Sequence, residues 1–365
     1  MKQIIVSVTN DLVTDQRVHK VCTTLTEMNF DVLLIGRKLK NSKKINRNYK
    51  TTRMKLLFTS GFLFYAEYNL RLFFKLLFLK KNILLSNDLD TLLPNYLISK
   101  LFDKKLVYDS HELFTEVPEL INRPFTQKFW LRIEQFTLPK VKDCYTVSHL
   151  IANYYSIKYN IGFEVIRNVP LQIKKIETSH FPFEMNDKKV ILYQGAINKG
   201  RGLELMFETL QFLKNVIFIC IGNGDIEQKL KQKIINLNLE GKIKFISKIT
   251  PLQLQKLTPL ADLGISLEED LGLNYKYALP NKLFDYIQAQ VPVLVSNLPE
   301  MKQIVLKYNI GEVVSSRNPK QLASQIQNIL KKEKIFYKNQ LEKASKELIW
   351  ENEEKILIAI FNNLS

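Results

Sequence analysis

The sequence VILYQGAINKGRGLE, residues 190–204, contains an apolar run followed by a glycine-rich turn with two basic residues. The apolar run before the turn predicts a buried strand, and a helix is predicted to begin at about Gly200 to Leu203. The free N–H groups and the positive dipole end of such a helix attract anions. Because Lys199 or Arg201 can add a charged hydrogen bond, a diphosphate is the ligand that this turn would suit. A turn of this kind can also be purely structural, so further features of the sequence are needed to distinguish an anion site from a simple turn.

A second basic residue stands at a predicted helix start in YALPNKLFDYIQAQVPVLVSNLPE, residues 277–300. Pro280 precedes an amphipathic helix, and Lys282 falls in its first turn, where the helix dipole is already positive. A cation is unfavourable there unless an anion compensates it. Asp285, one turn further on, could accept hydrogen bonds from the vicinal hydroxyls of a ribose. The alternative for Lys282 is a side chain that simply extends into solvent.

The elements that position these residues follow an alternating pattern. Short runs rich in Val, Ile and Leu, such as QIIVSVTN and VIFICIGNG, alternate with segments of helical period, which is typical of parallel sheets covered by helices. We predict an α/β fold with two doubly wound, Rossmann-like domains, residues 1–170 and 171–345, joined by a polar stretch between 168 and 187. The helix predicted at 346–365 has no strand after it. It closes the second domain or packs back on the first, which we favour.

The charge of the chain is concentrated in its first half. The 365 residues carry a formal net charge of +17, and residues 1–170 hold 26 Lys and Arg against 15 Asp and Glu. Basic residues beside Phe and Leu in NLRLFFKLLFLKK suit an anionic membrane surface. A core helix with a solvated rim explains this segment equally well. Nucleic acid is disfavoured, because finger, zipper and RNP-like patterns are missing. The N-terminal sequence predicts a strand rather than a secretory signal, so we expect a cytoplasmic protein, in one interpretation at the inner face of the cell membrane.

Three stretches of the second half, in this order and at these separations, resemble the donor domain of the retaining GT-B glycosyltransferases of glycosyltransferase family four: YQGAINKGRGLE, GNGDIEQKL and LPNKLFDYIQAQVPVLVSNLPE. The first half is similar in outline, since TNDLVTDQRVHK resembles the opening strand and helix of that group and LVYDSHELF its strand-end histidine. The resemblance spans almost the whole chain. It implies a GT-B fold, with two domains facing across a cleft, and a nucleotide diphosphate sugar as donor. It also implies that neither a metal ion nor another cofactor is needed.

The resemblance assigns roles by position. Arg201 and Lys282 would neutralise the donor diphosphate as the nucleotide leaves, and His111 would face the donor sugar; these three are the predicted catalytic residues. The predicted donor-binding residues are Gly200, Arg201, Gly222, Gly224, Asn281, Lys282, Leu283 and Asp285. The predicted acceptor-side residues are Asp15, Arg17 and Glu112. No metal site is predicted, although Asp88 and Asp90 imitate an Asp-x-Asp metal motif in the first domain.

One departure from the family pattern bears on the sugar contacts. The family commonly has two glutamates eight positions apart, but Tyr277 stands eight residues before Asp285, and Glu268 lies too far upstream to be a simple substitute. We expect a retaining glycosyltransferase of hexosyltransferase type that uses a glycan or lipid-linked acceptor in cell-surface polysaccharide synthesis. The alternatives are a nucleotide-sugar epimerase of the same fold and a non-catalytic subunit that binds nucleotide or membrane within a transferase complex.

Overall fold

The computed structural model describes residues 1–364, which divide into two compact units. Unit 1 contains Met1–Asn168 and the chain from Glu351 onward, and unit 2 contains Val169–Trp350. The sequence placed the two boundaries after residues 170 and 345, whereas the contacts place them after residues 168 and 350. No helix among the described residues is both long and apolar enough to cross a membrane.

Unit 1 is built on a seven-stranded parallel sheet with the strand order β3-β2-β1-β4-β5-β6-β7. Its strands are β1 (Gln3–Asp11), β2 (Asp31–Lys38), β3 (Lys50–Lys55), β4 (Ile83–Asn87), β5 (Lys105–Ser110), β6 (Asp143–Thr146) and β7 (Glu164–Val165). Its first six helices are α1 (Gln16–Glu27), α2 (Gly61–Phe78), α3 (Leu89–Leu101), α4 (Pro118–Ile121), α5 (Pro124–Thr137) and α6 (His149–Tyr159). Strand β4 is buried along its whole length, as expected for a strand between two helix layers.

Unit 2 is built on a six-stranded parallel sheet with the strand order β10-β9-β8-β11-β12-β13. Its strands are β8 (Lys189–Gln194), β9 (Val216–Ile221), β10 (Ile243–Ile246), β11 (Leu263–Ser266), β12 (Val293–Val295) and β13 (Gly311–Val313). Its helices are α7 (Leu203–Leu210), α8 (Glu227–Asn236), α9 (Pro251–Leu257), α10 (Leu273–Tyr277), α11 (Asn281–Gln288), α12 (Pro299–Tyr308) and α13 (Pro319–Glu347). In both units the strand order reverses beside the first strand, and ligands of such sheets bind at the carboxyl ends of the strands.

The last helix, α14 (Trp350–Asn362), belongs to unit 1 from Glu351 onward. Arg167 Nε donates a hydrogen bond of 2.8 Å to Glu353 Oε1, and Glu353 is 2% exposed. The Phe361 ring packs edge-on against Phe30, with ring centroids 6.1 Å apart. The terminal helix therefore completes the core of the unit that the N-terminus begins.

Candidate functional site

Two basic side chains of unit 2 converge on one carboxylate. Lys282, the second residue of α11, donates from Nζ to Glu268 Oε1 over 2.7 Å. Arg201, two residues before α7, places Nη1 3.7 Å from the same oxygen. The two cations that the sequence singled out are thus neighbours at the starts of two helices. Their positive charge adds to that of the helix dipoles.

Glu268 is a residue to which the sequence assigns no role in the site, although it follows a predicted strand. It lies two positions after β11, its side chain is fully buried, and Ser266 Oγ donates to Glu268 Oε2 over 2.7 Å. Burial alone would raise the pKa of Glu268, but the charge of Lys282 and the two hydrogen bonds hold it below its usual value. Burial lowers the pKa of Lys282, and the nearby Arg201 lowers it further, while Glu268 opposes both effects. Two cations share one ionised carboxylate, which leaves one positive charge in excess.

Each of the two cations lies over an aromatic ring. The Lys282 ammonium lies 4.3 Å from the centroid of the Tyr193 ring, and the Arg201 guanidinium lies 5.0 Å from that of Tyr275. A cation over a ring face is attracted by the ring quadrupole. The Arg201 side chain remains 27% exposed, and its Nε–H is buried without a hydrogen-bond partner in the described chain. The Arg201 side chain therefore remains accessible from solvent.

Two of the predicted donor-binding glycines are required by backbone packing. A Cβ on Gly222, whose φ is +149°, would lie 1.9 Å from Gly195 O, and a Cβ on Gly224 would lie 2.2 Å from Ile197 O. The backbone of the turn after β9 is thus in close contact with the backbone of the turn after β8. Only glycine, which has no Cβ, allows the two backbones to come this close. Gly200, with φ +81°, closes the turn before α7.

The remaining predicted donor residues lie on α11. Asn281 is exposed at the first position of the helix. Asp285 Oδ2 accepts from Gln194 Nε2 over 2.9 Å, so its carboxylate is held at the end of β8. The Leu283 side chain is fully buried in the core of unit 2, which corrects its assignment, because a side chain enclosed there is not available to a ligand.

A hollow of about 290 Å³ lies beside Glu268 at the carboxyl ends of β11, β12 and β13. It is lined by Glu268, Asp270, Ser296, Asn297, Leu298, Val314, Ser315, Ser316 and Arg317. Arg317 Nη1 donates to Ser296 Oγ over 3.2 Å, which fixes one wall. Most of the lining groups are hydroxyl, amide or charged groups, which can exchange hydrogen bonds with a polar ligand.

In unit 1, His111 lies between two aspartates at the carboxyl ends of β4 and β5. Its Nε2 is 3.1 Å from Asp109 Oδ2, and its Nδ1 is 3.3 Å from Asp88 Oδ2. The backbone N–H of His111 also donates to Asp88 Oδ1 over 2.8 Å. Burial would lower the pKa of His111, but the two carboxylates raise it to about 9. A raised pKa favours the imidazolium form at neutral pH, in which Nε2 donates to Asp109 and the positive ring is paired with Asp88.

Arg17 extends this network by binding the carboxylate of Asp109. Its Nε and Nη2 donate to the two oxygens of Asp109 over 3.0 and 2.7 Å, and its Nη1 donates to Ile166 O over 2.8 Å. The side chain is 3% exposed. Arg17 was predicted to face the acceptor, but in this structure its guanidinium serves Asp109, whose pKa it helps to hold at about 2 against the opposing effect of burial.

The other two predicted acceptor-side residues keep partial exposure. Asp15 caps α1 by accepting from Val18 N over 3.0 Å. Glu112 follows His111, and its carbonyl oxygen accepts from Ser110 Oγ over 2.8 Å. Both residues lie near the strand ends of unit 1, where an acceptor role stays a prediction.

The Asp-x-Asp sequence of unit 1 is used internally. Asp88 binds His111, and Asp90 Oδ2 accepts from Thr9 Oγ1 over 2.6 Å. Burial and the charge of Asp88 raise the pKa of Asp90 to about 8, so this carboxyl is protonated at neutral pH. Across residues 1–364 no cluster of three or more His, Cys, Asp or Glu side chains is arranged to hold a metal ion.

Two doubly wound parallel α/β units are the architecture of the GT-B fold. Residues 175–347 match the model of the family described as Glycosyl transferases group 1. That segment makes up almost all of unit 2, and the match agrees with the resemblance of this part of the chain to the group 1 glycosyltransferases.

Comparisons with known proteins agree with the fold. The chain is similar to the O-antigen chain mannosyltransferase RfbU of Salmonella typhimurium, with 23% identity in an alignment 250 residues long. The alignment covers 63% of this chain and 66%, just under two thirds, of that protein. Sucrose-phosphate synthase from Thermosynechococcus elongatus superposes with a TM-score of 0.82 at 14% identity, covering 100% of this chain and 99% of the other. Anabaena HepE in complex with UDP-glucose gives a TM-score of 0.75 at 13% identity, with both chains fully covered.

Proposed function

We propose that this glycosyltransferase binds a nucleotide diphosphate sugar through the Arg201–Lys282 pair and transfers the sugar with retention to a glycan or lipid-linked acceptor. The observation that carries the proposal is the convergence of both cations on Glu268, with an excess positive charge at two helix starts. A diphosphate brings two negative charges to such a site, and oriented N–H groups and cations stabilise charge that develops on a leaving phosphate.

The proposed reaction needs only the two substrates and the side chains described. The bond between the anomeric carbon and the donor phosphate breaks, a bond to the acceptor oxygen forms on the same face, and the acceptor proton passes to the departing phosphate. Arg201 and Lys282 would stabilise the phosphate during this step. His111 of unit 1 stays the predicted sugar-positioning residue. No metal ion takes part in this scheme, which we propose as metal-independent.

The hollow beside Glu268 supports the sugar part of the proposal. It adjoins the cation pair through Glu268, and Ser296, Asn297 and Arg317 line it. Hydroxyl, amide and guanidinium groups form the short, directional hydrogen bonds by which sugar hydroxyls are recognised. We assign this hollow to hydroxyls of the donor.

The likeness to an O-antigen chain mannosyltransferase supports a role in cell-surface polysaccharide synthesis. Catalysis at the cytoplasmic face of the membrane is part of our proposal. The structural likeness to HepE with bound UDP-glucose makes UDP the first nucleotide to test.

Calorimetric titration with UDP, GDP and their sugars, followed by a transfer assay without any partner protein, tests the proposal. Arg201→Ala should weaken nucleotide binding and lower turnover by about a hundredfold, the loss typical of removing one charge-stabilising donor. Lys199→Ala is the matched control, because Lys199 is an exposed cation in the same turn.

Unchanged turnover in Arg201→Ala would refute the site. Conversion of the sugar in donor alone, without acceptor, would establish the epimerase instead. Nucleotide binding without transfer to any acceptor would favour the non-catalytic subunit.

A further inference from the structure

Helix α2 is apolar on two opposite sides. Its inward stripe, buried against the sheet, consists of Phe64, Tyr68, Leu72 and Leu76. Its outward stripe has the same spacing of four residues and consists of Phe62, Ala66, Leu70, Phe74 and Phe78. The outward Phe and Leu side chains are between 52% and 83% exposed. A contiguous exposed patch of large apolar side chains marks an interaction surface, so we expect another surface to cover this stripe.

Helix α5 extends the same surface. Phe125 is 88% exposed, and Phe129 and Phe136 are also exposed on its outward side. The rings of Phe62 on α2 and Phe129 on α5 are in edge-on contact, with centroids 5.6 Å apart. The outward stripes of the two helices therefore form one continuous surface, which we call the aromatic face: Phe62, Leu70, Phe74, Phe78, Phe125 and Phe129.

The charges around the aromatic face are positive. Arg71 on α2 is 47% exposed, and Lys128 and Arg132 are exposed on α5 between its phenylalanines. The only carboxylate of α2, Glu67, is paired with Arg71 over 2.8 Å and accepts from the backbone N–H groups of the preceding loop. The only carboxylate of α5, Glu134, is 1% exposed and paired with Lys158.

We propose that the aromatic face docks on an anionic lipid bilayer. Phenylalanine and leucine side chains can enter the boundary between head groups and acyl chains, while the interspersed Lys and Arg reach lipid phosphates. A second copy of this chain would bring like charges together and would bury Lys128 and Arg132 without partners, which is costly. The inference rests on the proposed function only in that a lipid-linked acceptor would be presented at this surface.

Vesicle flotation tests the docking surface. The full chain should bind vesicles of phosphatidylglycerol and phosphatidylcholine, and bind pure phosphatidylcholine vesicles at least about tenfold more weakly, since each basic residue near an anionic surface is worth about fivefold in partitioning. Phe74→Ser combined with Phe78→Ser should weaken binding to the anionic vesicles by at least about tenfold. Both side chains are solvent-exposed, so the melting temperature should stay unchanged. Phe212→Ser, at a 48% exposed position of unit 2, is the matched control and should bind as the parent does.

Equal vesicle binding by the parent and the double serine variant, or no binding by the parent, would overturn the inference. So would a dimer in sedimentation velocity that the double variant abolishes, because the aromatic face would then be covered by a second copy. UDP titration of the same samples separates this inference from the proposed function. If the parent binds vesicles but not UDP, the donor site alone is refuted. If the parent binds UDP but not vesicles, the docking surface alone is refuted.

Discussion

Replacing Lys282 by Met should destabilise unit 2 because it leaves Glu268 buried with too little positive charge. The Lys282 side chain is 8% exposed and that of Glu268 is fully buried. Removing one partner of a buried ion pair costs about 3–5 kcal/mol. Arg201 at 3.7 Å and the Ser266 hydrogen bond remain, which places the expected cost near the lower limit, about 3 kcal/mol. For a unit of this size the melting temperature should fall by roughly 6–12 °C.

The double variant Lys282→Met, Glu268→Gln separates stability from binding. With both charges removed, no buried charge is left uncompensated, so the stability should return to within about 1 kcal/mol of the parent. UDP binding should stay lost in both variants, because the ammonium that we propose as a diphosphate ligand is absent. Differential scanning calorimetry measures the first quantity, and isothermal titration with UDP measures the second.

Two results would refute this reasoning. Losses of stability that simply add in the double variant would mean that Lys282 and Glu268 do not compensate each other. Recovery of UDP binding together with stability would mean that Lys282 acts only by holding the fold.

Three further predictions concern pH and backbone packing. The pKa of Asp90 is raised to about 8 from 3.8, so folding stability falls as pH rises between these values, and Asp90→Asn should raise the melting temperature at pH 8 but not at pH 4. The pKa of His111 is raised to about 9 from 6.5, so its stabilisation is complete below pH 6.5 and lost as pH rises through 9. His111→Asn should therefore cost up to about 3 kcal/mol at pH 6 and little at pH 10 in urea unfolding. Gly222→Ala should cost about 2–4 kcal/mol, because its Cβ would strike Gly195 O, whereas Gly241→Ala, with no atom within 4 Å of its Cβ, should stay within about 0.5 kcal/mol by the same assay.

The sequence could predict features that depend on local patterns. Runs that are apolar on both faces of a strand indicated the parallel strands. Helix α7 begins at Leu203, inside the predicted range. Lys282 lies in the first turn of α11, as the proline and the helical period indicated. These features are set by neighbouring residues along the chain, so one sequence is enough to find them.

The sequence could not predict the partners that these residues meet across the fold. Glu268 was set aside because of its distance along the chain from Asp285, yet strand β11 carries it to Lys282. Its position two residues beyond a buried strand was the available signal. The sequence predicts an acceptor-side role for Arg17, and nothing local shows that Asp109, 92 positions away, receives its guanidinium. The helical period of α11 indicates that Leu283 faces the core, whereas the resemblance to the family places it among the donor-binding residues.

The return of α14 to unit 1 limits how this protein can be divided. A fragment ending at Asn168 would lack Phe361 and Glu353, and so would leave Phe30 and Arg167 without their partners. Truncation from the C-terminus should accordingly damage the half of the molecule that is made first, not the half that is made last. A free-standing first half would require the terminal helix to be joined back to it, for example by circular permutation.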